Sequence, residues 1–156
     1  MSGSVVKSSQ RNSMTDTQLN KALRIAKEAH AGQVDKAGAP YIGHPVRVSS
    51  KCESEAAKVA ALLHDVVEDT TVSLKDLKNA GFSEDVIEAV ETLTHKKNDD
   101  YLAVYIPRIG RNAIAREVKI RDLEDNLDIT RLSGVSDRDI QRLNKYIKAY
   151  HYLKCL

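Results

Sequence analysis

The segment that most constrains the fold spans residues 56–63, which read AAKVAALL. These residues are strong helix formers, and apolar side chains lie all round the helix that they would form. Such a helix has no face suited to water, so it belongs at the centre of a domain with other elements on every side. Ser54 is a suitable N-cap, and we predict a central helix over residues 55–66. The remainder of the chain is expected to pack around it.

The rest of the chain predicts further helices and contains no convincing alternating strand. Thr15 followed by Gln18 is a capping-box pattern, and it predicts a first helix that ends near His30. A loop rich in Gly and Pro follows, and a short helix is predicted to begin after Pro45. Further helices are predicted within residues 73–82, 83–95, 101–109, 112–129 and 136–156. The expected fold class is therefore all-α, with about six to eight helices.

Two of these helices have recognisable caps and apolar faces. Ser83 and Ser136 are their predicted N-caps. Side chains at helical spacing are expected to face the core in both, and they are Val86, Ile87, Val90 and Leu93 in the first helix and Ile140, Leu143, Ile147, Tyr150 and Leu153 in the second. Both helices are thus predicted to be amphipathic.

Length and composition indicate one ordinary domain. The chain of 156 residues can bury a core, and its 24 basic and 22 acidic residues nearly balance, so charge favours neither nucleic acid nor a membrane as a partner. Residues 1–14 are expected to be a disordered leader before a single domain over residues 15–156. Cys52 and Cys155 form no metal-binding pattern and are expected to be reduced thiols in a cytoplasmic protein. The oligomeric state stays open.

The predicted central helix ends in a cluster of polar side chains. His64, Asp65, Glu68 and Asp69 lie within six positions, directly after the apolar run. On a helix, His64 would share one side with Glu68, and Asp65 would share one with Asp69. Imidazole and carboxylate together suit a divalent metal such as Mn, Fe or Zn, which makes water a nucleophile at neutral pH. Glu68 and Asp69 could orient that water or exchange a proton with it.

The alternative interpretation of the cluster is structural, with the imidazole bonded at a helix end and the carboxylates solvated. Two further candidate ligands lie elsewhere in the chain. His44 follows the Gly- and Pro-rich loop, and Asp122 lies amid apolar positions with Asn126 four residues later. Spacing alone does not favour Asp122 over the neighbouring acids Asp125 and Asp128. The other histidines have no comparable partners, and they are His30, His95 and His151.

Four motifs occur in one order along the chain. They are H-x-x-Q at residues 30–33, G-x-PYIxHPxxV at 38–48, ALLHDVVEDT at 61–70 and VKIRDLEDNL at 118–127. In this combination the chain resembles the HD-domain metal phosphohydrolases. It is most similar to the hydrolase domain of the (p)ppGpp synthetase/hydrolase family and its single-domain small alarmone hydrolases. The resemblance covers about residues 17–153, and the ALLHDxVEDT element is highly specific to that branch.

The resemblance implies a compact helical HD-domain bundle with a metal, usually manganese, in a central cleft. The implied metal ligands are His44, His64, Asp65 and Asp122. Glu68 and Asp69 would position and activate the attacking water, and Asn126 would line the nucleotide pocket. The implied reaction removes the 3′-pyrophosphate from guanosine tetra- or pentaphosphate. No segment resembles the synthetase domain, so a stand-alone hydrolase is expected.

The chain departs from the family at residues 34–36. Many alarmone hydrolases have a basic RRK-like run there, whereas this chain has VDK. Asp35 is expected to repel phosphate or to select different base edges, which leaves Lys36, Arg47 and Lys119 as possible phosphate contacts. For each of these three the alternative is an ordinary surface base. Two other functions therefore stay open: a phosphatase for another phosphorylated nucleotide, or a non-catalytic nucleotide-sensing module on the same scaffold.

Overall fold

The computed structural model describes residues 16–156, and the predicted leader at residues 1–14 lies outside the described residues. The α-helices in chain order are α1 (Gln18–Ala29), α2 (Gly43–Lys51), α3 (Glu55–Leu63), α4 (Val66–Asp69), α5 (Leu74–Asn79), α6 (Glu84–Leu93), α7 (Ile106–Gly110), α8 (Ala113–Leu127) and α9 (Asp137–Lys154). β-pairing among the described residues is limited to an isolated antiparallel bridge between Val34 and Pro40. The all-α prediction is confirmed. None of these helices combines the length and the apolarity that crossing a membrane requires.

Helix α3 lies at the centre of the fold, as its sequence predicts. It packs against α1, α2, α6 and α8. Its N-cap is Ser54, whose hydroxyl oxygen accepts the N–H of Ala57 at 3.2 Å. Burial of each leucine contributes about 1.5–3 kcal/mol to folding, so this helix is a main source of stability. The buried residues of α3 are Ala57, Val59, Ala60, Ala61, Leu62 and Leu63.

The predicted continuous helix through residues 55–66 is wrong, because α3 ends at Leu63. The His64 Nδ1–H donates to the Ala61 carbonyl oxygen at 2.5 Å. A continued helix would give that carbonyl to the N–H of Asp65, so the side chain competes with the backbone at this point. Asp65 instead directly precedes the one-turn helix α4. The backbone carbonyl oxygen of Asp65 accepts the N–H of Asp69 at 2.9 Å.

The start of α1 also differs from the prediction. Thr17 is the N-cap, and its hydroxyl oxygen accepts the N–H of Asn20 at 3.2 Å. Gln18 is already helical, and its side-chain oxygen accepts the N–H of Ser83 at 3.3 Å rather than completing a capping box. Thr15 lies outside the described residues. The glutamine therefore joins α1 to the start of α6.

The apolar face is confirmed for α6 and partly wrong for α9. In α6 the predicted residues are buried, although Ser83 makes no side-chain cap bond. In α9, Ser136 forms a capping box with Asp139, but Ile140 and Ile147 are 45% and 44% exposed. The neighbours of α9 are α7, α8 and the turn at Tyr101–Tyr105, and the side chains that α9 fully buries are Ala149 and Leu153.

Residues Tyr101–Tyr105 form a π-helical turn that runs directly into α7. Its N-cap is Asp100, whose carboxylate accepts the N–H of Ala103 at 2.7 Å. The Tyr105 N–H donates to the carbonyl oxygen of Asp100, five residues back, which is the wider π pattern. The sequence predicts an ordinary helix here, so the π-helical geometry is a correction. Single π turns occur frequently at functional sites.

The two cysteines are expected to react at very different rates. Cys52 is buried and Cys155 is exposed. Burial, together with the negative charge of Glu117, raises the pKa of Cys52 to about 12. Because the thiolate is the reactive form, iodoacetamide at neutral pH should label Cys155 and leave Cys52 unlabelled until the protein unfolds. Peptide mass spectrometry before and after denaturation checks this, and equal labelling of both in the native protein would contradict it.

Candidate active site

Three parts of the fold converge beside α3 and bring the predicted metal ligands together. His44 lies in the first turn of α2, which begins at Gly43 rather than after Pro45, because proline is tolerated in a first turn. His64 and Asp65 occupy the break between α3 and α4, and Asp122 lies in α8. Helices α2, α3 and α8 all contact one another. Packing around the central helix therefore places the four side chains in one region.

The candidate ligand atoms lie at short distances from one another. His44 Nε2 is 2.9 Å from Asp122 Oδ1 and 3.7 Å from Asp65 Oδ2. His64 Nε2 is 3.1 Å from Asp65 Oδ2 and 3.4 Å from Asp122 Oδ1. One ligand atom from each of His44, His64 and Asp65 lies within 4.8 Å of the others. Two imidazole nitrogens and two carboxylate oxygens thus surround one common space.

These donor atoms fit a divalent metal. A carbonyl oxygen only accepts hydrogen bonds, so the bond from His64 to Ala61 places a proton on Nδ1 and makes Nε2 the nitrogen that would coordinate a metal. That Nε2 atom is buried, and although Asp65 Oδ2 lies 3.1 Å away, the two atoms are not aligned as a hydrogen bond. A buried polar atom without a partner lowers the free energy of unfolding by about 1–3 kcal/mol, and a bound cation would supply the missing partner. Nitrogen and oxygen donors without thiolate suit Mn, Fe or Zn.

A buried lysine balances the negative charge of the cluster. Lys119 Nζ donates to Asp122 Oδ2 at 2.8 Å, and its side chain is almost fully buried. Burial opposes ionisation of Asp122, but Lys119 and the two histidines outweigh burial and hold the pKa of this carboxyl well below its usual range. Asp122 is therefore ionised at every ordinary pH, as a metal ligand must be.

Glu68 and Asp69 lie in α4, one turn beyond the candidate ligands. Partial burial, together with the negative charges of Asp65 and Asp69, raises the pKa of Glu68. Burial and Asp65 also raise the pKa of Asp69, while His30 and His64 act in the opposite direction. Glu68 lines a cavity beside Asp65, and Asp69 is not among the residues that line it. Glu68 thus lies where proton exchange with a water is feasible, whereas that role for Asp69 stays a prediction.

Two neighbouring cavities adjoin this cluster and share part of their walls. The larger has a volume of about 360 Å³ and is lined by Asp65 and Glu68 together with Lys119 and Lys145. The smaller, of about 280 Å³, lies along residues 34–37 and the guanidinium groups of Arg47, Arg131 and Arg142. Residues that line both are Tyr41, His44, Asn126 and Tyr146. The two cavities together can accommodate an elongated ligand that passes the candidate metal ligands.

Comparison with known proteins agrees with this geometry. The family model described as "HD domain" matches residues 22–122. The chain belongs to the HD domain family. The match begins in α1 and ends at Asp122, so it includes all four candidate ligands.

Several similar proteins are named for (p)ppGpp metabolism. The bifunctional (p)ppGpp synthase/hydrolase SpoT of Escherichia coli K12 is 42% identical over 78 residues, which cover 47% of this HD-domain chain and 11% of SpoT. A guanosine-3′,5′-bis(diphosphate) 3′-pyrophosphohydrolase of Aquifex aeolicus is 38% identical over 119 residues, which cover 71% of the chain and 17% of that protein. The HD-domain chain thus spans less than a fifth of the length of either relative.

A solved structure gives a similarity over nearly the whole fold. It is described as a metazoan ortholog of SpoT that hydrolyses ppGpp and plays a role in starvation responses. The TM-score is 0.76 and the sequence identity 27%, over 90% of this chain and 87% of that one. The HD-domain bundle expected from the four motifs is therefore confirmed.

Two predicted phosphate contacts, Lys36 and Arg47, lie at the smaller cavity of the HD domain. Lys36 is exposed, and its Nζ lies 3.2 Å from Asp139 Oδ1. Arg47 donates from Nε and Nη2 to the carboxylate of Asp125 at 2.9 and 3.1 Å. Both side chains remain accessible from the cavity, so their contact with phosphate stays a prediction.

The other two predicted contacts, Lys119 and Asn126, lie against Asp122. The Asn126 Nδ2–H donates to Asp122 Oδ1 at 3.1 Å, and Lys119 bonds the second oxygen of the same carboxylate. Lys119 Nζ also lies 5.3 Å from the ring centre of Tyr105 and 5.8 Å from that of Tyr101. Lys119 is therefore not a surface base. Its contact with phosphate, and that of Asn126 with the nucleotide, stay predictions.

The acidic departure at Asp35 has a local structural role. Its Oδ1 accepts the N–H groups of Ala37 and Ala39 at 2.9 Å each. These bonds close a turn in which Gly38 has a φ of 82°, a conformation that favours glycine. Asp35 thus shapes this turn and also lines the smaller cavity, so its effect on phosphate binding stays a prediction.

Sequence reasoning missed two aromatic side chains behind the candidate ligands. The Tyr41 hydroxyl donates to Asp65 Oδ2 at 2.5 Å. His30 was expected to have no partners, yet it is buried, it packs against the Tyr41 ring at 4.9 Å between centres, and its Nδ1 lies 2.9 Å from Gln33 Oε1. The sequence did offer an indication of both: His30 belongs to the H-x-x-Q motif and Tyr41 to the G-x-PYIxHPxxV motif, and both motifs precede His64 and Asp65.

Proposed function

We propose that this chain is a metal-dependent phosphohydrolase that removes the 3′-pyrophosphate of (p)ppGpp. The observation that carries the proposal is the convergence of the candidate ligand atoms on one space, with Glu68 in the adjoining cavity. The choice of substrate is supported by relatives named as guanosine-3′,5′-bis(diphosphate) 3′-pyrophosphohydrolases and by the ppGpp-hydrolysing metazoan protein.

In this proposal His44, His64, Asp65 and Asp122 hold one divalent cation, which we propose to be manganese. When bound there, such a cation supplies Lewis acidity, which polarises a phosphoryl oxygen and acidifies water. The chain contributes a fixed donor set: Lys119 holds one Asp122 oxygen, and Tyr41 holds Asp65. Fixed donors cost no reorganisation during the reaction.

Proton transfer is assigned to the carboxyl groups of α4. Hydrolysis adds the water oxygen to the phosphorus attached to the ribose and breaks the bond from that phosphorus to O3′. One proton must therefore leave the water, and one must reach O3′. The pKa of Glu68 is raised, which strengthens this carboxylate as a base, and we assign it the water proton, with Asp69 assisting from the same turn.

The two cavities support a proposed placement of the two ends of the nucleotide. Lys119 and Lys145 line the larger cavity beside the candidate metal ligands, and together with the proposed cation they would offset the carboxylates there, which favours the 3′-pyrophosphate in this cavity. Lys145 Nζ lies 4.6 Å from the ring centre of Tyr101, so an aromatic wall covers part of this cavity. The smaller cavity, with Lys36, Arg47 and Asn126, would receive the rest of the nucleotide.

Product analysis with guanosine 3′,5′-bis(diphosphate) tests the proposal. With added manganese, the chain is expected to release one pyrophosphate and one guanosine diphosphate per substrate, and a chelator should stop the release. Guanosine 5′-diphosphate, which lacks the 3′ group, should give no product. Release of single phosphates, or binding of manganese without any turnover, would contradict the proposed reaction and would favour another nucleotide or a sensing role.

A further inference from the structure

Both ring nitrogens of His44 face carboxylates of the same helix. His44 Nε2 is 2.9 Å from Asp122 Oδ1, and His44 Nδ1 is 2.7 Å from Asp125 Oδ2. The two acids are three residues apart in α8, so they lie on the same side of that helix, one turn apart. The imidazole of α2 is thus held between them, and Asp125 determines the direction of the ring from the side opposite Asp122.

Asp125 is itself held by arginine side chains. Its side chain is 2% exposed, and Arg47 donates to its two oxygens from Nε at 2.9 Å and from Nη2 at 3.1 Å. Arg131 Nη2 lies 3.5 Å from Oδ2. A bidentate guanidinium fixes the plane of a carboxylate as well as its charge. The oxygen that faces His44 therefore has little freedom to rotate away.

We propose that Asp125 is a positioning residue of the metal centre, which accepts the His44 Nδ1–H and so directs Nε2 to the cation, and that Arg47 locks this carboxylate in place. The inference rests on the metal site of the proposed function. A metal-ligating histidine normally donates its other N–H to a carboxylate or carbonyl, which fixes the ring and raises its basicity. His64 uses the Ala61 carbonyl for this purpose, and Asp125 supplies the carboxylate for His44.

The sharpest test is the manganese affinity of Asp125→Asn, measured on the whole chain from the EPR signal of free Mn(II). The asparagine keeps the size of the side chain and removes its charge. Loss of such a supporting carboxylate is expected to weaken manganese binding by about 10- to 100-fold. The matched control is Asp128→Asn. Asp128 lines the smaller cavity, as Asp125 does, and lies 3.7 Å from Arg131, but it makes no bond to His44. It should leave the affinity unchanged.

A second variant separates the hydrogen bond to His44 from the ion pair with arginine. Arg47→Met keeps the apolar stem and leaves the bond between Asp125 and His44 in place. It is expected to weaken manganese binding less than Asp125→Asn does. An equal or larger loss in Arg47→Met would assign the effect to the ion pair and overturn the positioning role. Thermal unfolding of each metal-free variant confirms that the comparison is made between folded proteins.

A spectroscopic readout tests the position of the proton directly. In the zinc-loaded chain, ¹⁵N NMR of the histidine rings is expected to place the His44 proton on Nδ1, in slow exchange with water. Asp125→Leu, which offers no acceptor to the His44 Nδ1–H, should lose this slow exchange, and Asp128→Asn should keep it. Wild-type manganese affinity in Asp125→Asn together with slow exchange in Asp125→Leu would overturn the inference while leaving the metal site intact. Absence of manganese binding by the wild-type chain would overturn the metal site, and the positioning role with it.

Discussion

Replacing Asp65 with alanine is expected to abolish manganese binding and, with it, turnover. Asp65 Oδ2 lies 3.1 Å from His64 Nε2 and 3.7 Å from His44 Nε2, so the substitution removes one of the oxygen donors from the proposed set. The remaining donors cannot move into the gap, because His64 is bonded to the Ala61 carbonyl and Asp122 to Lys119. An incomplete site that cannot adapt binds its metal weakly.

Thermal unfolding with and without manganese measures this loss. A ligand present at 100 times its Kd stabilises the folded state by about 2.7 kcal/mol. For a domain of this size that corresponds to a rise in Tm of roughly 5–10 °C. The wild-type chain should show this rise, and Asp65→Ala should show none. Asp85→Ala is the control, because Asp85 is an exposed carboxylate in the first turn of α6.

Removal of Asp65 also leaves the Tyr41 hydroxyl without its acceptor, which could lower stability for an unrelated reason. Asp65→Asn separates the two effects, because an amide oxygen still accepts from Tyr41 while the charged ligand is lost. It should unfold near the wild-type temperature without metal and gain little from manganese. A full manganese-dependent rise together with full activity in Asp65→Ala would show that the ligand set is wrong.

The parts of the site that are local in sequence could be predicted, and the parts that depend on helix packing could not. His64 follows an apolar segment whose composition already places it at the centre, so its burial could be inferred from neighbours in the chain. The exact end of α3 could not, because it depends on a single bond from the imidazole of His64 to the Ala61 carbonyl. Propensity scales do not include such a bond.

Asp122 and Asp125 illustrate the limit of spacing. Both are buried acids of α8, and nothing in the sequence says which of them lies toward the histidines. The resemblance selects Asp122, but the contact of Asp125 with His44 exists only because α2 packs against α8 in one particular register. The same packing pairs Arg47 with Asp125, which lies 78 positions away along the chain, and the sequence does not indicate this contact.

The exposed isoleucines of α9 show a different limit. Ile140 and Ile147 have the spacing of a buried face, yet of that predicted face α9 fully buries only Leu153, and it also buries Ala149. Helical periodicity identifies an apolar stripe, but the length over which neighbours cover that stripe depends on where α7 and α8 end. The π-helical turn at Tyr101–Tyr105 likewise has no signal in composition, although it places two tyrosines in the wall of the larger cavity.

Replacing Glu68 with glutamine is expected to separate metal binding from catalysis. Glu68 lines the larger cavity and is not among the candidate ligands, so Glu68→Gln should retain the wild-type manganese-dependent rise in Tm. The amide cannot accept a proton from water. Loss of a positioned general base typically lowers the rate by about 10²- to 10⁴-fold, and kcat for pyrophosphate release should fall by that amount. The matched control is Glu88→Gln on the exposed side of α6.

The dependence of kcat on pH gives the Glu68 prediction its strictest form. A base works only when it is deprotonated, and partial burial together with Asp65 and Asp69 raises the pKa of Glu68. Activity should therefore rise with pH through a midpoint above that of an ordinary glutamate, and it should be lost as pH falls below that midpoint. The residual activity of Glu68→Gln should lack this transition. An unchanged profile in the variant would assign the proton to another group, and Asp69, the next carboxyl of α4, would be the first to replace.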